Sequence, residues 1–398
     1  MPFATIMEQQ PTLLACELIF YACTLLTLKH AVDHGRHHVL MWITAVVSGT
    51  ANDIFFMVLP FCDNFFHAQC SIMLTPRLPL YIPCAYISFM YVGAVSVWRL
   101  GLPPVAEAAA TGLACGLFYA AFDITGAKHL WWTWHDTDAG VFYRWLGVPI
   151  GSTMWTIVHC FCYQLLHRVL VLHVLRPDTV VLLGTILWTA LLTTPFMMLA
   201  MGPFQLHQLR FQLPDSMPSL PEITQIPGKP DALSLLLAIV IFGYLAWRGL
   251  RSSSRVRYAW LRPRPASDAM LLAGIFAYYG AMVAIMATAR PEAVVATGVH
   301  QPVNPCHVVG HDLSNRTRFE FLCPTEYDED FTFDCVAGGA ASVSGLDART
   351  TWYTLCGKAH TDRPLYVVVV SLLATVGGFV FTMMLTSTDR DPRTKTAG

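Results

Sequence analysis

Apolar residues in this chain come in nine long runs separated by polar breaks, at about residues 12–28, 39–60, 80–98, 105–124, 148–172, 179–201, 232–248, 268–289 and 364–385. A helix of on the order of 20 apolar residues crosses the hydrocarbon core of a bilayer, and each run is close to that length. The pattern predicts an all-α integral membrane protein, a bundle of about nine transmembrane helices. One polar region is sizeable, and it is expected to form a small disulfide-containing luminal or extracellular loop domain between the last two spans. The chain then divides into residues 1–289 (eight spans, with an Arg-rich cytosolic linker at 248–264), 290–363 (the cysteine-rich loop) and 364–398 (the ninth span and a cytosolic tail). Residues 202–230 are Pro-rich and weakly periodic, and read as an irregular loop. The order of the segments holds no internal repeat, which counts against transporter architectures built from repeats.

Composition agrees with the pattern. The chain is 55% hydrophobic and 13% charged, where a soluble domain carries about 25% charge. The first 11 residues lack Lys and Arg, so the first run is expected to be a retained span rather than a cleavable signal. Charge sorts by side. With the Arg-rich linker placed in the cytosol, 14 of the 25 Lys and Arg residues fall on the cytosolic side. The N-terminus is then outside and the C-terminus inside, in the plasma membrane or an endomembrane. The long loop supports this orientation: it holds Cys306, Cys323, Cys335 and Cys356 and the sequon Asn315-Arg316-Thr317, which suit an oxidising compartment. Four cysteines allow three pairings, and spacing does not choose among them. No basic domain or base-reading motif is present, so nucleic acid is excluded as a partner and the lipid bilayer is the expected one.

Candidate chemistry gathers on the outer side. The breaks carrying Asp63, Asn64 and His67, and Trp131, Trp132, Trp134, His135 and Asp136, emerge on the same face, while Asp53 and Asp123 lie in the outer parts of their spans. Ionisable groups at membrane depth point by default to a functional interior. Asp53, Asp63, Asp123, Asp136, His67 and His135 are therefore the candidate acid–base residues, with Trp131, Trp132, Trp134 and Asn64 as candidate substrate contacts. The competing readings are structural: an interfacial tryptophan belt, a helix cap at Asp63-Asn64, and an interhelical hydrogen bond at Asp53. On the cytosolic side, the break KHAVDHGRHH (residues 29–38) contains His34-x-x-His37-His38. It looks like one histidine box of the membrane desaturases and hydroxylases. Those enzymes need several boxes on one side, so a solvated histidine cluster is expected here, with no metal and no cofactor.

From Asp123 to Ile150 the chain resembles the integral-membrane carotenoid biosynthesis proteins that hydrate carotenoid ends. The shared features are Asp123 in an apolar run, Trp132-Thr133-Trp134-His135-Asp136, and Gly147-Val148-Pro149 ahead of the next span, with Pro76 to Pro83 resembling an earlier stretch. Gly151-Ser152 departs from that family's pattern. As a whole, the chain looks more like an uncharacterised eukaryotic multi-pass group with DNFxHAQ and WYxxCG signatures, here Asp63 to Gln69 and Trp352 to Gly357. The carotenoid resemblance implies an enzyme or binder of lipid-like, isoprenoid molecules, in which Asp123 or Asp136 protonates a double bond. Two alternatives stay open: a transporter or channel lined by Asn52, Asp53, Asp63 and Asp123, and a receptor-like surface protein acting through its cysteine-rich loop.

Overall fold

The computed structural model describes the whole chain except residues 60, 139, 173–178, 210–228, 254–257, 259, 314, 316, 328, 340–349 and 388–398. Most of the Pro-rich loop, Arg255 and Arg257 of the linker, Arg316 of the sequon and the C-terminal tail therefore lie outside the described residues. Among those described, nine helices are long and apolar enough to cross a membrane. After a short α1 (Phe3–Gln9) come α2 (Pro11–His34), α3 (Arg36–Val58), α4 (Tyr81–Trp98), α5 (Pro104–Lys128), α6 (Ile150–Leu166, continued by a wider turn, His167–Leu172), α7 (Thr179–Leu209), α8 (Lys229–Arg251), α9 (Pro265–Thr288) and α10 (Arg363–Leu385). This is a multi-pass membrane protein.

Helix α4 carries no charge on any face, and every one of its residues is buried. It forms the axis of the bundle, packed by α2, α3 and α5. Helices α8 and α10, apolar outward, leave much of their surface exposed, as lipid-facing helices do. Helices α5 and α6 approach closely through Gly112, where an added Cβ would overlap the carbonyl of Ile157.

The break at residues 29–38 is not a solvated loop. Helix α2 runs on to His34, only Gly35 interrupts the helical path (φ +88°, a conformation open to glycine), and α3 begins at Arg36. His30 and His38 are consequently fully buried between helices. The fourth span also continues a turn past the expected end, burying Lys128, whose ammonium meets Asp330 Oδ1 at 3.3 Å.

The cysteine-rich region is a small β structure tied to the bundle. Strand β1 (Phe65–His67) pairs antiparallel with β2 (Trp132–Trp134), with Phe65 opposite Trp134 and His67 opposite Trp132. The chain past β1 bridges at Ala68 to Gly298 in β5 (Val295–Val303). A short hairpin, β3 (Arg144–Trp145) and β4 (Val148–Pro149), precedes α6. Strand β5 pairs with β9 (Thr350–Gly357), which also pairs with β8 (Phe331–Thr332), while β6 (Val309–His311) and β7 (Thr317–Phe319) form a separate hairpin. Disulfides join Cys306 to Cys323 and Cys335 to Cys356, closing loops of similar length at opposite ends of the region. Among the described residues three ion pairs fasten it to the end of α5 and the segment that follows: Lys128–Asp330, Arg144–Glu329 and Arg318–Asp138.

Gly126 on α5 lets the Trp132 ring lie against the helix, since a Cβ there would overlap it, whereas Gly280 on α9 faces open space. Gly126→Val is expected to lower the melting temperature in detergent by several degrees, the cost of overpacking being about 1–3 kcal/mol. Gly280→Val should leave it unchanged. Equal melting temperatures for the two variants would contradict this packing of the tryptophan loop.

Candidate functional site

Between the disulfide-bearing cover and the middle of the bundle lies a cavity of ≈ 260 Å³. Five spans wall it. The C-terminal half of α3 supplies Asn52, Asp53 and Phe56, and the N-terminal half of α4 supplies Ala85, Tyr86 and Phe89. Tyr119 and Phe122 come from α5, Ser152 and Trp155 from α6, and Met197, Met198 and Met201 from α7. Asn64 and His67 beside and within β1, Trp132 and Trp134 from β2, and Asp312 and Leu313 from the cysteine-rich region complete the roof. The lining is mainly aromatic and thioether, with few polar groups, which is the usual make-up of a small-molecule site.

Those polar groups form a chain. Thr194 Oγ1 donates to Asn52 Oδ1 (3.0 Å), Asn52 Nδ2 donates to Tyr86 Oη (3.0 Å), and Tyr86 Oη donates to Asp53 Oδ1 (2.6 Å). The second oxygen, Asp53 Oδ2, stands 3.5 Å from His67 Nε2. It makes no hydrogen bond, nor does either ring nitrogen of His67, among the described residues. Both side chains are buried. One oxygen of the acid is thus locked by the tyrosine while the other is presented to an imidazole and to the cavity. That geometry suits proton transfer to or from a bound molecule. A second acid stands one layer back: Asp123 Oδ2 accepts from Ser152 Oγ (2.8 Å), while its Oδ1 has no partner among the described residues.

The remaining sequence candidates hold the cover in place. Asp63 takes a two-pronged ion pair from Arg77 and is partly exposed. The Asn64 carbonyl accepts from the His135 amide at 2.8 Å. His135 turns Nδ1 to the amides of Thr137 and Asp138 (3.3 and 3.1 Å), closing a tight turn. Asp136 is paired on both sides by Gln301, its amide to Oε1 (2.9 Å) and its Oδ1 from Nε2 (2.7 Å). Trp131 is buried against Phe122 and donates to Thr12 Oγ1 at 3.1 Å, outside the cavity. Asn315 is exposed at a turn. Of the six acid–base candidates, Asp53 and His67 meet in the cavity and Asp123 stands behind it; Asp63, His135 and Asp136 lie outside it. Tyr86, Thr194, Trp155 and the three methionines were not anticipated, because an aromatic or Met inside an apolar run carries the same signal as core packing.

Burial pushes the pKa of His135 down to about 3, with Arg318 adding repulsion, and pushes that of His300 under the cover to about 3 as well. Glu329 is moved the other way, up to about 7, by burial against the attraction of Arg144. A histidine kept neutral in the fold costs stability as pH falls from 6.5 toward 3, because only the unfolded chain takes up the proton in that window. Glu329 acts with the opposite sign: the fold alone holds its proton between 4.5 and about 7, so its contribution weakens as pH rises. His135→Asn keeps an acceptor for the two amides and removes the titration. Its stability is expected to fall less steeply than the wild type's between pH 6 and 4, by up to about 1.4 kcal/mol per pH unit, in thermal melts. Parallel melting curves would show that His135 is not held neutral.

Comparison with known proteins returns one family. Residues 2–386 match the family described as Domain of unknown function (DUF7802). No curated protein and no solved structure matches the chain. The match spans the bundle and its cover almost from end to end, and the chain belongs to the DUF7802 family.

Proposed function

We propose that the cavity is the site of an intramembrane enzyme, or failing turnover a binder, for a lipid-like, isoprenoid molecule. The observation that carries this reading is the Asp53–His67 pair, held by Tyr86 in an aromatic pocket among membrane-crossing helices. A water-soluble substrate would find little to bind there. A hydrocarbon chain would pack against Phe56, Phe89, Trp155 and the methionines, and its reacting end would meet the acid.

The reaction we favour is hydration of a double bond, the chemistry that the resemblance around the tryptophan loop implies. Asp53 in its protonated form adds its proton to one alkene carbon, and the positive charge that develops on the other faces the rings of Trp132 and Trp134. Water adds to that carbon and gives up a proton to His67, which returns it to Asp53 across the 3.5 Å gap. Asp123 and Ser152 orient the water. The acid role, which the resemblance gave to Asp123 or Asp136, falls in this proposal to Asp53, because Asp136 is paired with Gln301 away from the cavity and Asp123 stands behind Ser152. The transporter reading gains less support: beyond the cavity the bundle is filled by side chains such as Tyr91, Tyr163 and Met41, with Tyr163 Oη bonded to the Met41 carbonyl. The receptor reading gains less too, since Asp312 and Leu313 make the cysteine-rich region part of the cavity wall.

We place the cover outside the cytosol, from the Lys and Arg count, the two disulfides and the exposed Asn315. Glycosidase treatment is then expected to shift the wild-type protein on a gel and leave Asn315→Gln unmoved. An unshifted wild type from cells that glycosylate would remove the support of the sequon.

The reaction is tested by extracting lipids from membranes expressing wild type, Asp53→Asn, His67→Gln or Asp136→Asn. Mass spectrometry should find an isoprenoid species heavier by one water with wild type and Asp136→Asn. It should be reduced by at least a hundredfold with Asp53→Asn or His67→Gln, the scale of a lost proton-transfer group. Identical lipid profiles from equally well-folded proteins would refute the enzyme.

A further inference from the structure

We propose that His30, His34 and Asp268, joined by His38, bind one divalent transition-metal ion of the zinc type at the end of the bundle away from the disulfides. His30 and His34 lie one turn apart at the end of α2 with their rings stacked at 4.1 Å. Each brings Nε2 to 3.1 Å from the same carboxylate oxygen, Asp268 Oδ1 on α9. Atoms bound at about 2.0–2.2 Å to one ion lie roughly 3–3.5 Å apart, so each imidazole already has ligand spacing to the carboxylate, and the three ligand atoms lie within 4.8 Å of one another.

The outer nitrogens have the partners that metal-bound imidazoles keep. His34 Nδ1 is 2.9 Å from the His30 carbonyl, and His30 Nδ1 is 2.7 Å from Tyr91 Oη. Since a carbonyl only accepts, His34 carries its proton on Nδ1 when neutral. Its Nε2 lone pair then faces a carboxylate oxygen, and two acceptors at that distance call for a cation between them. The Arg99 guanidinium meets this need here, with Nη2 at 2.7 Å from Asp268 Oδ1 and 3.1 Å from His34 Nε2.

His38 provides an independent sign. It is fully buried, its ring is 4.6 Å from that of His34 and 5.7 Å from that of His30, and neither of its nitrogens has a partner among the described residues. Three imidazoles and one carboxylate select a borderline ion such as Zn²⁺ over Mg²⁺ or Ca²⁺, which prefer all-oxygen sets. The ligands come from α2, α3 and α9, so the ion clamps three helices. Along α3 the 15 residues from His38 to Asp53, roughly 22 Å of helix, separate the ion from the acid of the cavity, and it takes no part in that chemistry.

The full-length protein, stripped with a chelator and then loaded with Zn²⁺, would be passed over a desalting column and its metal counted by mass spectrometry. Wild type is expected to retain one Zn²⁺ per chain more than Asp268→Asn or His34→Gln, and to melt at a higher temperature with Zn²⁺ than without. Co²⁺ in its place should give visible absorption bands in wild type that Asp268→Asn lacks. Arg99→Gln, freed of the competing guanidinium, should bind Zn²⁺ at least tenfold more tightly. The site is refuted if wild type retains no more zinc than Asp268→Asn, or if Arg99→Gln folds and binds zinc no better than wild type. Should Asp268→Asn fail to fold, zinc content, the Co²⁺ spectrum of wild type and the affinity of Arg99→Gln still decide the matter.

Discussion

The backbone hydrogen bonds along residues 64–69 hold together the half of this protein that contains the cavity. An irregular segment at the membrane boundary must satisfy its amides and carbonyls within the protein, because little water reaches them. Here one short strand serves two neighbours. The His135 amide bonds to the Asn64 carbonyl and the Ala68 amide to the Trp131 carbonyl, while the Gln69 amide bonds to the Thr297 carbonyl in the cysteine-rich region. The same strand therefore fixes the tryptophan loop on one side and the disulfide-bearing sheet on the other. It also sets His67 over Asp53. The cover and the site are one construction.

The polar chain inside the cavity follows from the same constraint applied to side chains. A carboxylate among apolar helices is costly unless its oxygens are bonded. Among the described residues, Asp53 is hydrogen-bonded on one oxygen only, through Tyr86 and on to Asn52 and Thr194. Glu107, by contrast, is paired by Arg168 and bonded by Gln164 and Tyr258, as a structural acid is. The difference between these two buried acids is what supports the role proposed for Asp53.

Span number and order were legible because hydrocarbon thickness imposes a length on every apolar run, and the observed helices start and end within a few residues of those expected, apart from extensions at α2, α5 and α7. Asp53, His67, Trp132 and Trp134 were legible by side and depth. Which acid met which histidine was not, since the pairing depends on the register of β1 with β2, and three-residue strands leave no periodic trace. The histidine break at residues 29–38 misled for a related reason: a polar run between two apolar ones looks like a loop, yet a single glycine there joins two helices end to end and buries His30 and His38. Asp268, expected only as the start of a span, turned out to face that cluster from the far end of the sequence.

The most direct measurement is photolabelling of the protein in its own membrane with an isoprenoid alcohol carrying a diazirine, followed by peptide mapping. Label concentrated on Phe56, Trp155, Met197, Met198 and Met201, and displaced by unlabelled isoprenoid alcohol, is the predicted result. Label spread over the outward-facing Leu183, Leu236 and Phe379 without enrichment at the cavity would contradict the account.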